Sequence, residues 1–129
     1  MSDKFEMVKY LLMDLDMKIV NEESADHIVV VDDVENGIQN MVVDCEDPIV
    51  VIEQFILNVP SNPGDLYKRL LQMNRTLVHG AFVLNEAGDK VLFRDTLQIE
   101  NLDPNELEAS IQALSLGLAE YGSELLTYA

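Results

Sequence analysis

Apolar positions in the first part of the chain recur with a helical period. Phe5, Val8, Leu12 and Leu15 predict one apolar face on a helix over 3–14, and Leu11 widens it. Asp3 lies at the positive N-terminal end, where a carboxylate is favourable. Met17 to Val20 reads as a short extended piece. The texture then changes. Ile28 to Asp33 is rich in β-branched residues, Asn36-Gly37 follows, and Ile38 to Cys45 is a second such run. Asn-Gly between two runs of this kind predicts a hairpin, because both turn positions favour positive φ. Glu46-Asp47-Pro48 makes the next turn. Ile49 to Asn58 is apolar at nearly every position, as expected of a strand covered on both faces.

The segment 60–65 stops that strand. Asn62 suits an N-cap, Pro63 a first helical position and Asp65 the third, with Leu66, Leu70, Met73 and Leu77 as the apolar stripe. His79-Gly80 breaks it. Ala81 to Leu84 and Lys90 to Ile99 predict a second hairpin. Val91, Phe93, Leu97 and Ile99 face one way in its longer strand, and Asp95 falls on that apolar side, needing a partner or a bulge. The last helix has the clearest start. Asp103 is the N-cap, Pro104 takes the first position and Glu106 completes a capping box. Leu107, Ile111, Leu114, Leu118, Tyr121 and Leu125 form its stripe, beside the small residues Ala109, Ala113 and Gly117. The expectation is an α+β fold, an antiparallel sheet with helices in the order α-β-β-β-α-β-β-α, built as a single domain over 1–129.

Pairing across Asn36-Gly37 as a two-residue turn sets Val30 against Val43 and Val31 against Val42. Ile28, Val30, Met41, Val43 and Cys45 then face the helices. Val29, Val31 and Val42 face away, joined by Ile49, Val51 and Phe55 if Glu46-Asp47 is also a two-residue turn. These six residues are the candidate protein-binding or dimer face: an apolar patch rimmed by Asp33, Asp44 and Glu53. The alternative is that a helix or a second subunit covers it. A one-residue slip at either turn exchanges the faces.

Charge narrows the choice of partner. The formal net charge is −16, with no Lys or Arg between Ile19 and Tyr67 and none after Arg94. Such a field repels phosphate backbones and anionic lipid, so neither nucleic acid nor membrane is an expected partner. The N-terminal residues lack the basic and apolar regions of a signal peptide, and the reading is cytoplasmic.

Chemistry finds little support. Cys45, the only cysteine, is flanked by Asp44 and Glu46, and carboxylates raise a thiol's pKa. His27 and His79 have no ligands at metal spacing. No Gly-rich phosphate loop appears. Asp32, Asp33 and Glu35 with Asp44, Glu46 and Asp47 lack calcium-loop spacing and read as a solvated rim. No catalytic residue, metal site or cofactor is expected.

The stretch Asn74-Arg75-Thr76-Leu77-Val78-His79-Gly80-Ala81-Phe82-Val83-Leu84 carries a resemblance, together with Leu92-Phe93-Arg94-Asp95-Thr96-Leu97 and Leu102-Asp103-Pro104-Asn105-Glu106-Leu107. In length, element order and acidity the chain resembles type III secretion chaperones, the class typified by the Tir chaperone CesT, and the related YbjN-type domains. The likeness extends from about Pro48 to the end. It implies a homodimer that holds an extended segment of a client protein against sheet edges and helix grooves. The alternative is a YbjN-type regulatory or stress-related domain that contacts a folded partner. A metal-dependent enzyme is the remote third reading.

Overall fold

The computed structural model describes residues 2–129. Its elements run α1 (Ser2–Asp14), β1 (Lys18–Glu23), β2 (Ile28–Asp33), β3 (Ile38–Glu46), β4 (Ile49–Asn58), α2 (Leu66–Asn74), β5 (Ala81–Leu84), β6 (Lys90–Gln98) and α3 (Pro104–Leu126). The six strands form one antiparallel sheet in the order β1-β2-β3-β4-β6-β5. The α+β expectation holds. The short extended piece expected near Met17 is a full edge strand.

The three helices cover one face of the sheet. Phe5, Val8 and Leu12 of α1, Leu66, Leu70 and Met73 of α2, and Leu107, Ile111 and Leu114 of α3 join a single core with Val29, Val31, Met41, Val43, Val50 and Ile52. Each fully buried leucine contributes roughly 2 kcal/mol to that core. Polar residues on this side are paired. The Ser110 hydroxyl of α3 donates to Asp95 Oδ2 at 2.6 Å, which supplies the partner Asp95 requires. Gln54, 5% exposed, accepts from the Gln39 N–H and donates to the Gly37 carbonyl, holding the β2–β3 connection onto β4.

The last helix begins as its sequence requires. Asp103 Oδ1 accepts from the Asn105 N–H at 2.7 Å, and Glu106 reaches back to the Asp103 N–H, completing the capping box. The second helix begins later than expected. Gly64 has φ +59°, a left-handed conformation that breaks any helix starting at Pro63. Asp65 takes the N-cap position without a side-chain cap bond, and its carboxylate instead accepts from the Tyr128 hydroxyl at 2.7 Å.

Two turns differ from expectation, with opposite consequences. The β2–β3 connection is not a two-residue turn. Val34–Asn36 form a 3-10 turn closed by Gly37 at φ +79°, and Asn40 adopts φ +51° beside a register shift. Val30 therefore pairs with Val42, and Val31 with Met41. That one-residue slip turns Val29 and Val31 toward the helices, where both are fully buried. The β3–β4 turn is Asp47-Pro48, so Asp44 pairs with Val51 and Val42 with Glu53. This slip is two residues and leaves the faces unchanged. Nor is β4 covered on both faces. Its residues opposite the helices include half-buried Ile49 and Glu53 and exposed Phe55.

Candidate binding surfaces

Of the six candidate residues, Val42, Ile49, Val51 and Phe55 share the open face of the sheet. Val29 and Val31 do not; they belong to the core. Half-buried Ile28 and Val30 take their place. Cross-strand rows on the open face mix apolar with polar or charged side chains. Ile28, Asp44, Val51 and Thr96 form one row, and Val30, Val42, Glu53 and Arg94 the next. Val51 is only 7% exposed, sheltered by its neighbours rather than by a second layer. Val42, Asp44, Glu46, Val51, Glu53 and Arg94 enclose a hollow of about 190 Å³.

Asp44 is half-buried in this setting. Its Oδ1 is enclosed and accepts no hydrogen bond among the described residues. Burial, then the charge of Glu46 and its close carboxyl–carboxyl contact, then the charges of Glu53 and Asp26, push its carboxyl up to about 6. Arg94 supplies a cation but is engaged by Glu53. On the opposite side, burial and the charge of Asp44 push the Cys45 thiol up to about 11, which opposes a nucleophilic role. His27 lies edge-on to Phe5, at 5.3 Å between ring centroids. His79 is exposed in the turn before β5. Among the described residues, no group of three or more His, Cys, Asp or Glu is placed to hold a metal ion. No helix among them is long and apolar enough to cross a membrane.

The two edges of the sheet contrast. On β1, exposed Asn21, Glu22 and Glu23 line the edge, and Glu22 pairs with Lys9 of α1 at 2.9 Å. Charges of this kind discourage a further strand. Strand β5 carries only Ala81, Phe82, Val83 and Leu84. Beside it, Tyr67, Leu71 and Leu84 are exposed, and they line an apolar groove of about 320 Å³ together with Leu70 and Val83. Asn74 acts as a local substitute for a neighbouring strand: its amide donates to the Phe82 carbonyl at 3.0 Å and accepts from the Phe82 N–H at 2.7 Å. By the alternation of an antiparallel ladder, Leu84 also turns its backbone groups outward.

A third surface lies where the α2–β5 turn meets α3. Val78 and Leu116 are exposed at 86% and 69%, beside Ala109, Ala113 and Gly117. The spacing of the small residues was visible in sequence. The Asn74 contact was not, because it depends on the chain returning beside α2 after the Gly80 turn.

Helices on one face of an antiparallel sheet, with apolar surfaces left at an edge and on the open face, define a scaffold suited to holding polypeptide. The chain belongs to the CesT_Tir_1 family, whose model matches residues 1–129. No curated protein matches. Among solved structures, the fold is similar to YbjN from E. coli, at 15% identity and TM-score 0.73, covering 93% of this chain and 92% of that one. It is also similar to the HopA1–SchA chaperone–effector complex, at 13% identity and TM-score 0.61, covering 98% and 94%. The Yersinia pestis type III secretion chaperone SycH, solved with a fragment of YscM2, is similar at 13% identity and TM-score 0.54, covering 98% and 99%.

Proposed function

We propose that this chain is a non-catalytic, cytoplasmic, single-domain module that holds an extended segment of a client protein and works as a homodimer. The observation that carries the reading is the uncharged edge strand β5 beside exposed Leu71 and Tyr67 of α2. Leu84 turns its backbone groups outward toward an added strand, which would have to displace Asn74 to reach those of Phe82, and the groove takes alternate apolar side chains. Family membership supports the same reading, as do neighbours solved as chaperone–effector complexes. Val42, Ile49, Val51 and Phe55 offer a second apolar surface on the open face. The exposed Leu116 and Val78 surface, flanked by small residues of α3 that let another element approach closely, supports the homodimer reading.

The test uses a reduced, cysteine-alkylated polypeptide that cannot refold, with binding followed by fluorescence anisotropy. Leu71→Glu combined with Leu84→Glu should weaken binding at least tenfold while leaving thermal stability nearly unchanged, since both residues are exposed. Undiminished binding by that variant would remove β5 from the client surface. The fold match to YbjN supports a second reading, a regulatory module on a folded partner. That reading predicts no binding of the unfolded probe and one folded partner at fixed stoichiometry.

A further inference from the structure

We propose that Asn74 is a gate on the β5 edge: in the free chain its side-chain amide holds the place of an added strand, and a client segment enters by taking over its two hydrogen bonds. The inference rests on the client-edge reading and adds the residue that controls entry. One side chain serves both outward groups of one strand residue. The Asn74 amide donates to the Phe82 carbonyl at 3.0 Å, and its Oδ1 accepts from the Phe82 N–H at 2.7 Å. A residue on a neighbouring antiparallel strand would make the same pair of bonds. The opposite edge of the sheet is defended by charge, through exposed Glu22 and Glu23 of β1. Ala81, Phe82, Val83 and Leu84 carry no charge, so the defence at Phe82 falls to Asn74.

The position of Asn74 suits release. It is the last residue of α2, half-buried, and exposed Arg75 and Thr76 follow it. Its backbone carbonyl accepts from the Leu77 N–H, and α2 is held to α3 by the Arg69–Glu124 pair at 2.6 Å. The side chain can therefore change rotamer while the helix stays in place. Displacement exchanges two neutral hydrogen bonds for two others, which is nearly balanced. Apolar contact then decides which segments enter. Client residues opposite Phe82 and Leu84 share their face and point toward the groove of Tyr67, Leu70 and Leu71. A segment with apolar side chains at those alternate positions opens the gate, and a polar segment leaves it shut. The same device disfavours a second copy as occupant. Pairing of two β5 edges would have to release Asn74 in both chains.

The test compares the parent with Asn74→Ala, using the reduced, cysteine-alkylated polypeptide and fluorescence anisotropy. Asn74→Ala should bind about tenfold more tightly, because its edge is open before the client arrives. The gain should vanish when Leu71→Glu and Leu84→Glu are added, which separates an opened edge from a loosened fold. A second measurement needs no variant, and so decides the matter even if Asn74→Ala folds poorly. In the isotopically labelled parent, the probe should shift the Asn74 side-chain amide and the Leu84 backbone amide, while the Phe82 N–H stays protected from exchange. An Asn74 side-chain amide that does not shift on binding would overturn the gate. So would unchanged or weaker affinity in a folded Asn74→Ala whose binding still needs Leu71 and Leu84, a result that leaves the client edge standing. Self-association of Asn74→Ala in sedimentation, with no gain for the probe, would also overturn it. Absence of probe binding by both the parent and Asn74→Ala would remove the client edge and the gate together.

Discussion

The two faces of the sheet are made from the same strands and nearly the same residue types, yet they treat polar groups differently. On the helix-covered face, Asp95 receives the Ser110 hydroxyl, and Gln54 bonds to both Gln39 and Gly37. Those bonds close inside the molecule and fix how α3 and the β2–β3 connection sit on the sheet. On the open face, carboxylates are interspersed among aliphatic residues, and Asp44 keeps an oxygen without a donor. A polar group satisfied internally specifies the fold. One left unsatisfied and enclosed, as Asp44 Oδ1 is, leaves an electrostatic tension in the sheet.

The sharpest way to break this comparison is to place the same charge on each face. Val31→Lys buries an ammonium among fully buried core residues and should cost at least about 4 kcal/mol, much of the stability of a typical domain. Val42→Lys places the ammonium on the half-buried open face, opposite Glu53, and should change stability by less than about 1 kcal/mol. Urea unfolding of both variants measures the difference. Similar losses would mean that the open face is covered in the native state.

Gly80 sharpens the account of the covered face. It has φ +70°, and an added Cβ would lie 2.3 Å from Phe93 Cζ. Phe93 is fully buried and meets Phe82 edge-on. Gly80→Ala combines backbone strain with overpacking against a ring that has little room to move, and should cost about 3 kcal/mol in urea unfolding. A loss near zero would show that the turn before β5 can relax away from the core.

Much of the architecture was legible because period and punctuation agreed. The capped start of α3 needed only the Asp103-Pro104-Asn105-Glu106 chemistry, and the β5–β6 hairpin only its alternation. The need of Asp95 for a partner was visible too, although Ser110 could not be named. The candidate face was only partly legible. Val42, Ile49, Val51 and Phe55 were placed on one face correctly because the β3–β4 error spans two residues. Val29 and Val31 were misplaced because the Val34–Asn36 turn and the positive φ of Asn40 shift the register by one. A valine-rich run gives no internal signal of its register, since both of its faces are apolar. The Asp32 carboxylate that accepts the Asn40 N–H at 2.7 Å stabilises this shifted arrangement, and that contact is tertiary. Strand β1 was reduced to a fragment because its later residues, Asn21, Glu22 and Glu23, lack β propensity and pair only as an exposed edge.

The smallest expected effect tests the open face most selectively. The Asp44 carboxyl is pushed up to about 6 from an ordinary 3.8, first by burial and then by the charge of Glu46. A raised carboxyl means that the folded protein holds this proton after the unfolded chain has released it. Asp44 therefore contributes nothing unfavourable below about pH 4, and lowers stability as pH rises through about 6. Glu22, Asp89 and Glu124 act in the opposite sense, since their donors hold them below the ordinary carboxylate range and their contribution is lost on acidification. The total profile mixes the two groups, so the informative quantity is a difference between variants. Asp44→Asn removes the charge and supplies a donor where Glu46 lies close. The variant should melt about 3 °C above the parent near neutral pH, and that gap should shrink as pH falls toward 4. Melting curves at the two pH values, followed by circular dichroism, read the gap directly. A gap of the same size at both values would mean that the Asp44 carboxylate is well solvated, and it would remove the electrostatic tension that distinguishes the open face from the covered one.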